Sequence, residues 1–291
     1  MRTLVQNYTS SISTESMYFH RCLKEAGCDV ELWVNPQVST FDMFDSFRPD
    51  IFICHYEYIK TDIVKYLSGT NIEIVPNVTG ANKESLGMIE KTFSDNRIKC
   101  PFMFTNFHHF IFPVQKPPTN IELITILPGL DIFLPRVQIP MFKLGTAFIS
   151  TKESKLLSKL TKKKDTYHKL CVGKDDNFDL SLNIKDLISV LDKYEECIIV
   201  DDIFVAMSQL FFETTFAADK AIVKVEEQFR PTLEKMWAVL FHEEDKSKKI
   251  GEIVKEQIKQ KHTCFNRTAK LAKHLGHEEL SNKLISMGES L

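Results

Sequence analysis

The sequence predicts an α/β protein with parallel sheets, and three observations lead to this class. Short apolar runs alternate with segments whose apolar residues recur every three or four positions, which is the pattern of strands between amphipathic helices. Residues 197–225 show it most clearly, as a strand over 197–200, a helix within 204–219 and a strand over 221–225. The chain has 291 residues, which is enough for two such domains.

The first half opens with a strand over 2–7, a helix and a second strand over 30–34. Ser13 or Thr14 is suited to cap this helix, and Gly27 to end it. No glycine fingerprint follows the first strand, so the sequence favours no dinucleotide site there. Further strands are predicted over 50–54, 72–75, 102–104 and 121–127, with helices over 61–67 and 83–93.

Three polar or aromatic residues follow the strand over 50–54: His55, Tyr56 and Glu57. Open α/β sheets place their ligands beyond the carboxyl ends of strands. We therefore expect a functional edge at this point, with His55 in either a direct or a structural role.

The predicted domain boundary lies near residue 136. Residues 128–135 read PGLDIFLP, and prolines with a glycine suit a segment that leaves one sheet and enters another. The prediction is a first domain over 1–136 and a second over 137–291.

The second half continues the alternation. Strands are predicted over 146–149 and 168–172, and helices over 154–164 and 183–191, before the stretch at 197–225; a turn begins at Gly173. Later helices are predicted over 232–241, 248–260 and 268–287. The last of these has an apolar face that suits packing on either domain.

Composition narrows the class of protein. With 43% hydrophobic and 26% charged residues, the chain has the composition of a globular protein. Its formal net charge of −2 is not typical of a protein that coats nucleic acid, although a local basic face is compatible with that charge. Seven cysteines without a CxxC pair suggest buried thiols in a reducing compartment. No apolar run approaches the length of a membrane span, so we expect a cytoplasmic protein without a membrane partner.

The segments FRPDIFICH, LPGLDIFLP and SQLFFE resemble glycosyltransferases of the GT-B fold, in which two Rossmann-like domains face each other across a cleft. The resemblance implies a nucleotide-sugar as co-substrate, most simply a UDP-sugar, with no other cofactor and no metal. Glu213, followed by Ala217 and the strand from 221, matches the helix whose glutamate binds the ribose of the donor. Many retaining members carry a second glutamate eight positions earlier, where this chain has Val205, so the sugar and the stereochemical outcome stay open.

The predicted site residues fall into three groups. The donor-binding candidates are Lys152, Lys169, Gly173, Asp201, Ser208, Gln209 and Glu213. In the expected donor site, the first turn of a helix holds the diphosphate and lysines neutralise its charge. The candidates on the acceptor side are Thr9, Ser10, Ser11 and Tyr56. The catalytic candidates are His55, Glu57 and His108, since inversion requires a base near the acceptor hydroxyl.

The whole chain, including NYTSSISTES and YHKLCVG, is similar to phage-encoded glycosyltransferases that attach glucose or arabinose to 5-hydroxymethylcytosine. That likeness implies double-stranded DNA as the acceptor and a basic face to hold it. The candidate lysines are Lys159, Lys162, Lys163, Lys164 and Lys169, or Lys246, Lys248 and Lys249. Two alternatives stay open: transfer to a cell-surface glycan, and a non-catalytic protein that binds nucleotide-sugars.

Overall fold

The computed structural model describes residues 1–8, 14–33, 40–106, 120–136, 143–201, 208–218, 220–241 and 250–290, with backbone alone at 40, 236–241 and 250–255. The chain divides into two compact units. The first unit comprises Met1–Thr9, Glu15–Leu127 and Phe265–Met287, and the second comprises Ser10–Thr14, Pro128–Cys264 and Gly288–Leu291.

The first unit is built on a parallel sheet. Its strands are β1 (Arg2–Gln6), β2 (Asp29–Trp33), β3 (Ile51–His55), β4 (Glu73–Asn77), β5 (Met103–Thr105) and β6 (Leu123–Thr125). Helices α1 (Glu15–Glu25), α2 (Thr40–Phe47), α3 (Thr61–Leu67) and α4 (Lys83–Asp95) and the 3₁₀ turn Tyr56–Tyr58 connect them. The order across the sheet is β2-β1-β3-β4-β5-β6. The direction of winding reverses between β1 and β3, which makes their carboxyl ends the switch point of this sheet.

Apolar side chains of the strands and helices close the core of this unit. Phe44, Phe52 and Phe93 are buried together there. Gly27 adopts φ +85° directly after α1, a left-handed conformation that suits glycine at a helix end. The Asn82 side chain caps α4 by accepting a hydrogen bond from the backbone N–H of Ser85.

The second unit is built on another parallel sheet. Its strands are β7 (Leu144–Ser150), β8 (Tyr167–Val172), β9 (Leu180–Leu182), β10 (Tyr194–Val200) and β11 (Lys220–Lys224). Its helices are α5 (Lys155–Thr161), α6 (Ile184–Leu191), α7 (Gln209–Ala217), α8 (Arg230–Phe241) and α9 (Ile250–Lys261), with a 3₁₀ turn at Glu227–Phe229. Across the sheet the order is β11-β10-β7-β8-β9. Counted along the chain and read from the β9 edge, this is 3-2-1-4-5, the Rossmann order without its sixth strand.

Two helices end the described chain, α10 (Cys264–His274) and α11 (Glu278–Glu289). Residues 265–287 belong to the first unit, where Lys270 Nζ donates to the carbonyl oxygen of Thr125 at 2.7 Å and Lys283 Nζ to that of Ala26 at 2.9 Å. The predicted division at residue 136 had assigned these helices to the second domain. The apolar face of these helices suited packing on either domain, and the contacts of Lys270 and Lys283 place them with the first unit.

The predicted fold class, α/β with two parallel Rossmann-like sheets, is confirmed. Strand β9 was missed, and the single helix predicted over 268–287 is two helices, because the chain turns at Gly276 with φ +78°. All seven cysteines are free thiols. Within the described ranges, no helix is both long and apolar enough to cross a membrane.

Candidate functional site

The switch point of the second sheet lies between the carboxyl ends of β7 and β10. Asp201 follows β10, is 8% exposed, and its carboxylate is held by the residues that end β7. Its Oδ2 accepts from Ser150 Oγ at 3.0 Å, from the backbone N–H of Thr151 at 2.5 Å and from Thr151 Oγ1 at 2.8 Å. Asp201 therefore fixes the loop that starts at Thr151, and this oxygen is occupied by protein hydrogen bonds.

Replacing Asp201 with alanine is expected to destabilise the protein by about 1–3 kcal/mol, since buried hydrogen-bond donors of the loop lose their acceptor. Urea denaturation measures the change. Asp201→Asn keeps one carbonyl oxygen and is expected to lose less. Equal stability of Asp201→Ala and the wild type would show that the loop is held by other contacts.

The start of α7 is the predicted binding place for a diphosphate. Ser208 caps the helix, and its hydroxyl oxygen accepts from the N–H of Leu210 at 3.3 Å. Gln209 is fully buried, with Oε1 accepting from the backbone N–H of Thr14 at 2.8 Å. Ser208 is 3% exposed, so both predicted side chains lie within the protein.

The Glu213 carboxylate has no exposed surface. Oε1 accepts from the backbone N–H of Asp131 at 2.7 Å and from Gln209 Nε2 at 3.1 Å, and Oε2 pairs with Arg136 Nη2 at 2.6 Å. Burial raises the pKa of this carboxyl, and the Arg136 guanidinium opposes that shift. A ribose hydroxyl can reach Glu213 only if these contacts open, which differs from the accessible carboxylate that the sequence suggested.

A buried hydrogen-bond network surrounds this ion pair. Asp131 is fully buried; its Oδ2 accepts from Thr14 Oγ1 at 2.7 Å, and its Oδ1 accepts from the N–H of Phe133 at 3.1 Å. Gln209 Nε2 also donates to Thr14 Oγ1 at 2.9 Å. Asp131, the aspartate of LPGLDIFLP, thus joins this segment to α7 in the second unit. Neither the role of Arg136 nor that of Thr14 in this network was predicted from the sequence.

The three other donor-side candidates lie on β8, directly after it, and in the loop after β7. Lys169 is within the strand, and its Nζ contacts Glu153 Oε1 at 2.5 Å and the carbonyl oxygen of Asn177 at 2.6 Å. The Glu153 carboxylate raises the pKa of Lys169. Gly173 follows the strand with φ +130°, a conformation that L side chains rarely adopt. Lys152 is exposed in the loop that Asp201 holds.

The switch point of the first sheet carries His55. Its backbone N–H donates to Gln6 Oε1 at 3.4 Å, and its ring lies 5.7 Å from that of Tyr8 and 4.7 Å from that of Tyr56. Its Nδ1 is 3.6 Å from Glu57 Oε2. Burial lowers the pKa of His55, which favours the neutral imidazole that a general base requires.

Tyr56 and Glu57 also border a groove between α3 and α4. The groove has a volume of about 450 Å³, with an apolar floor that includes Ile59, Val64 and Ile89. Its size and lining fall within the range of small-molecule pockets.

A buried acid, Glu15, lies at the start of α1 in the first unit. Its Oε2 accepts from Asn106 Nδ2 at 3.2 Å and Asn77 Nδ2 at 3.4 Å, and its Oε1 accepts from Tyr18 OH at 3.2 Å. Burial raises the pKa of Glu15 to about 7, against the opposing charge of Arg267. The sequence indicated only an acid suited to the first turn of a helix, and its burial at the carboxyl ends of β4 and β5 had no local signal.

Four predicted site residues, Thr9, Ser10, Ser11 and His108, lie outside the described residues. Among the residues with described positions, no group of three histidine, cysteine, aspartate or glutamate side chains is placed to hold a metal ion.

No family model matches the chain, and no curated protein matches it. Its backbone fold is similar to those of solved glycosyltransferases. SnogD from Streptomyces nogalater has a TM-score of 0.48 at 13% identity, over 94% of this chain and 99% of that one. The glycosyltransferase of kitacinnamycin gives 0.45 at 12%, over 98% and 95%, and VinC in complex with dTDP gives 0.44 at 10%, over 100% of both. At TM-scores below 0.5, these likenesses carry no information on the substrate.

Proposed function

We propose that the protein is a glycosyltransferase that takes a sugar from a nucleotide-sugar, with the second unit as the donor-binding domain. The observation that carries the proposal is the 3-2-1-4-5 order of the second sheet. This order makes the ends of β7 and β10 the place where α/β folds bind nucleotides. Asp201 holds the loop between β7 and α5 at that point through Ser150 and Thr151.

In this proposal the donor is a UDP-sugar. Its diphosphate lies near the loop at Lys152 and the first turn of α7, where a lysine and backbone amides stabilise the charge that develops on the leaving group. Such a site needs no metal. Glu213 turns to the ribose when its pairing with Arg136 opens.

The first unit holds the acceptor in this proposal, and His55 serves as the base that takes the proton of the acceptor hydroxyl. Its neutral imidazole beside Tyr8 and Tyr56 suits that role. The proposed acceptor is the hydroxymethyl group of 5-hydroxymethylcytosine in duplex DNA. The base leaves the helical stack to reach the enzyme.

A second function, a non-catalytic protein that binds nucleotide-sugars, is favoured by one observation of the sequence. Val205 stands where many retaining glycosyltransferases of the GT-B fold carry a second glutamate. A protein that has lost the chemistry keeps the donor-binding fold without that side chain.

Incubation with UDP-glucose or UDP-arabinose and hydroxymethylated duplex DNA tests the proposal. The expected result is UDP release together with a sugar-modified cytosine, detected by mass spectrometry of the nucleosides. A UDP-induced rise in melting temperature without any product would favour the non-catalytic binder. Neither a melting shift nor a product would contradict both functions.

Replacing Lys152 with alanine is expected to weaken UDP binding about tenfold, because the diphosphate loses one charge-assisted hydrogen bond. Calorimetric titration with UDP measures the affinity. Lys193→Ala, which removes an exposed lysine before β10, is the matched control and is expected to bind UDP as the wild type does. Equal affinities of all three proteins would remove Lys152 from the donor site.

A further inference from the structure

A lysine-lined groove lies on the second unit beside α5. It has a volume of about 820 Å³, and its lining includes Lys155, Lys159 and Lys162 of α5 and its C-terminal end, Lys169 of β8, and Glu153. Four lysines against one glutamate give the lining a formal charge of +3, in a chain whose formal net charge is −2. The groove is therefore a local region of positive charge on a protein whose net charge is negative.

The helix sets the spacing of three of these lysines. Positions 155, 159 and 162 are four and three residues apart, which places them along one stripe of a helix. All three are exposed, and no carboxylate in the part of the chain that the structure describes forms an ion pair with them. Lys169, in contrast, is paired with Glu153. Like charges along a stripe repel each other, so an anion with matching spacing relieves that repulsion.

We propose that this groove binds the phosphate backbone of duplex DNA, an inference that rests on the proposed transfer to a DNA base. The stripe from Lys155 to Lys162 is about 10 Å long at about 1.5 Å per residue. Phosphates of one DNA strand rise by about 3.4 Å each along the helix axis and lie farther apart along the winding strand, so the stripe spans about two of them.

The chemistry of the lining favours a backbone over a free nucleotide. Among the residues that the structure describes, the groove is lined by lysines, serines, one asparagine and one glutamate, and by no aromatic or aliphatic side chain. A nucleotide pocket requires a surface on which a base stacks or packs, whereas contacts to phosphate need only cations and polar hydrogens. The groove therefore positions DNA without reading its sequence, and base selection falls to the acceptor site.

The test is the binding of a fluorescent 20-base-pair duplex, measured by anisotropy over a series of KCl concentrations. The variant Lys155→Gln, Lys159→Gln, Lys162→Gln is compared with the control Lys24→Gln, Lys83→Gln, Lys91→Gln. The control removes three exposed lysines from α1 and α4 of the first unit and changes the net charge equally.

The groove variant is expected to bind at least tenfold more weakly at 100 mM KCl than the wild type. Its plot of log affinity against log salt is expected to be shallower by about 0.9 for each lysine that contacts a phosphate. The control is expected to stay within about twofold of the wild type. Equal losses in both variants, no loss in the groove variant, or a wild type that does not bind the duplex would each overturn the proposal.

Two further measurements separate this inference from the proposed function. UDP titration of the wild type and the groove variant is expected to give the same affinity, because Lys155, Lys159 and Lys162 are not among the proposed donor residues. A loss of UDP affinity in the groove variant alone would overturn the inference by assigning the lysines to the donor. If the groove variant binds UDP, transfers the sugar and keeps its DNA affinity, the groove does not bind DNA, and the proposed glycosyltransferase function still holds.

Discussion

Replacing Arg136 with methionine is expected to lower the free energy of unfolding by about 3–5 kcal/mol. The substitution leaves the Glu213 carboxylate buried with no cation beside it, although two amide hydrogen bonds remain. The Arg136 guanidinium also lies 4.7 Å from the centre of the Phe216 ring, and that contact is lost as well. Urea denaturation at pH 7, read by circular dichroism, measures the change.

Two controls identify the buried charge as the cause. The double variant Arg136→Met, Glu213→Gln removes the uncompensated charge, so it is expected to recover much of the loss. Arg230→Met removes an exposed arginine that pairs with Glu234 on α8, and it is expected to cost less than about 1 kcal/mol. If Arg136→Met costs no more than Arg230→Met, the Glu213 carboxylate is not dependent on this cation.

Substitution of Glu213 also tests the proposed donor site. If the carboxylate serves the ribose only after Arg136 releases it, Glu213→Gln is expected to weaken UDP binding while the fold is kept. In that case Glu213 pairs with Arg136 in the free protein, and a bound nucleotide replaces Arg136 with its ribose hydroxyl. Equal UDP affinity of Glu213→Gln and the wild type would contradict the ribose role and leave Glu213 as a structural acid.

The fold was predictable because its strands are short apolar runs and its helices have one apolar face. The switch point at His55 followed from the same logic, since a polar residue after a buried strand lies at the edge of the sheet. Strand β9 was not predictable in this way, because Leu180, Ser181 and Leu182 are exposed or half-buried and lack the apolar run of the other strands.

The orientation of Glu213 could not be predicted for a physical reason. Residues 209–215 of α7 are all buried, so apolar periodicity does not tell which side of this helix meets a ligand. Its partners Asp131 and Arg136 are 82 and 77 residues away along the chain. Only tertiary packing brings them together.

Glu15 is expected to make the stability of the protein depend on pH between about 4.5 and 7. Burial raises its pKa from 4.5 to about 7, so the folded state binds the proton more tightly than the unfolded state. The contribution of Glu15 to the free energy of unfolding is fully present below about pH 4.5 and is lost as pH rises through 7. A shift of this size corresponds to about 3 kcal/mol.

The groups that face Glu15 keep their charge over this range. Burial raises the pKa of Tyr8 well above 10, and burial lowers the pKa of Arg267 only to about 10. His55 titrates in the same unit with a lowered pKa, so its contribution has the opposite sign and is lost as pH falls. A difference between two variants is therefore needed to isolate Glu15.

Glu15→Gln provides that difference, because the amide keeps the shape of the carboxyl group and cannot ionise. The free energy of unfolding of the wild type, minus that of Glu15→Gln, is expected to fall by about 3 kcal/mol between pH 4.5 and 8. Glu84→Gln, in the exposed first turn of α4, is the matched control and is expected to show no fall of that size. Since Asn77, Asn106 and Tyr18 all donate to this carboxyl, a flat difference for Glu15→Gln as well would mean that their hydrogen bonds offset the cost of burying its charge.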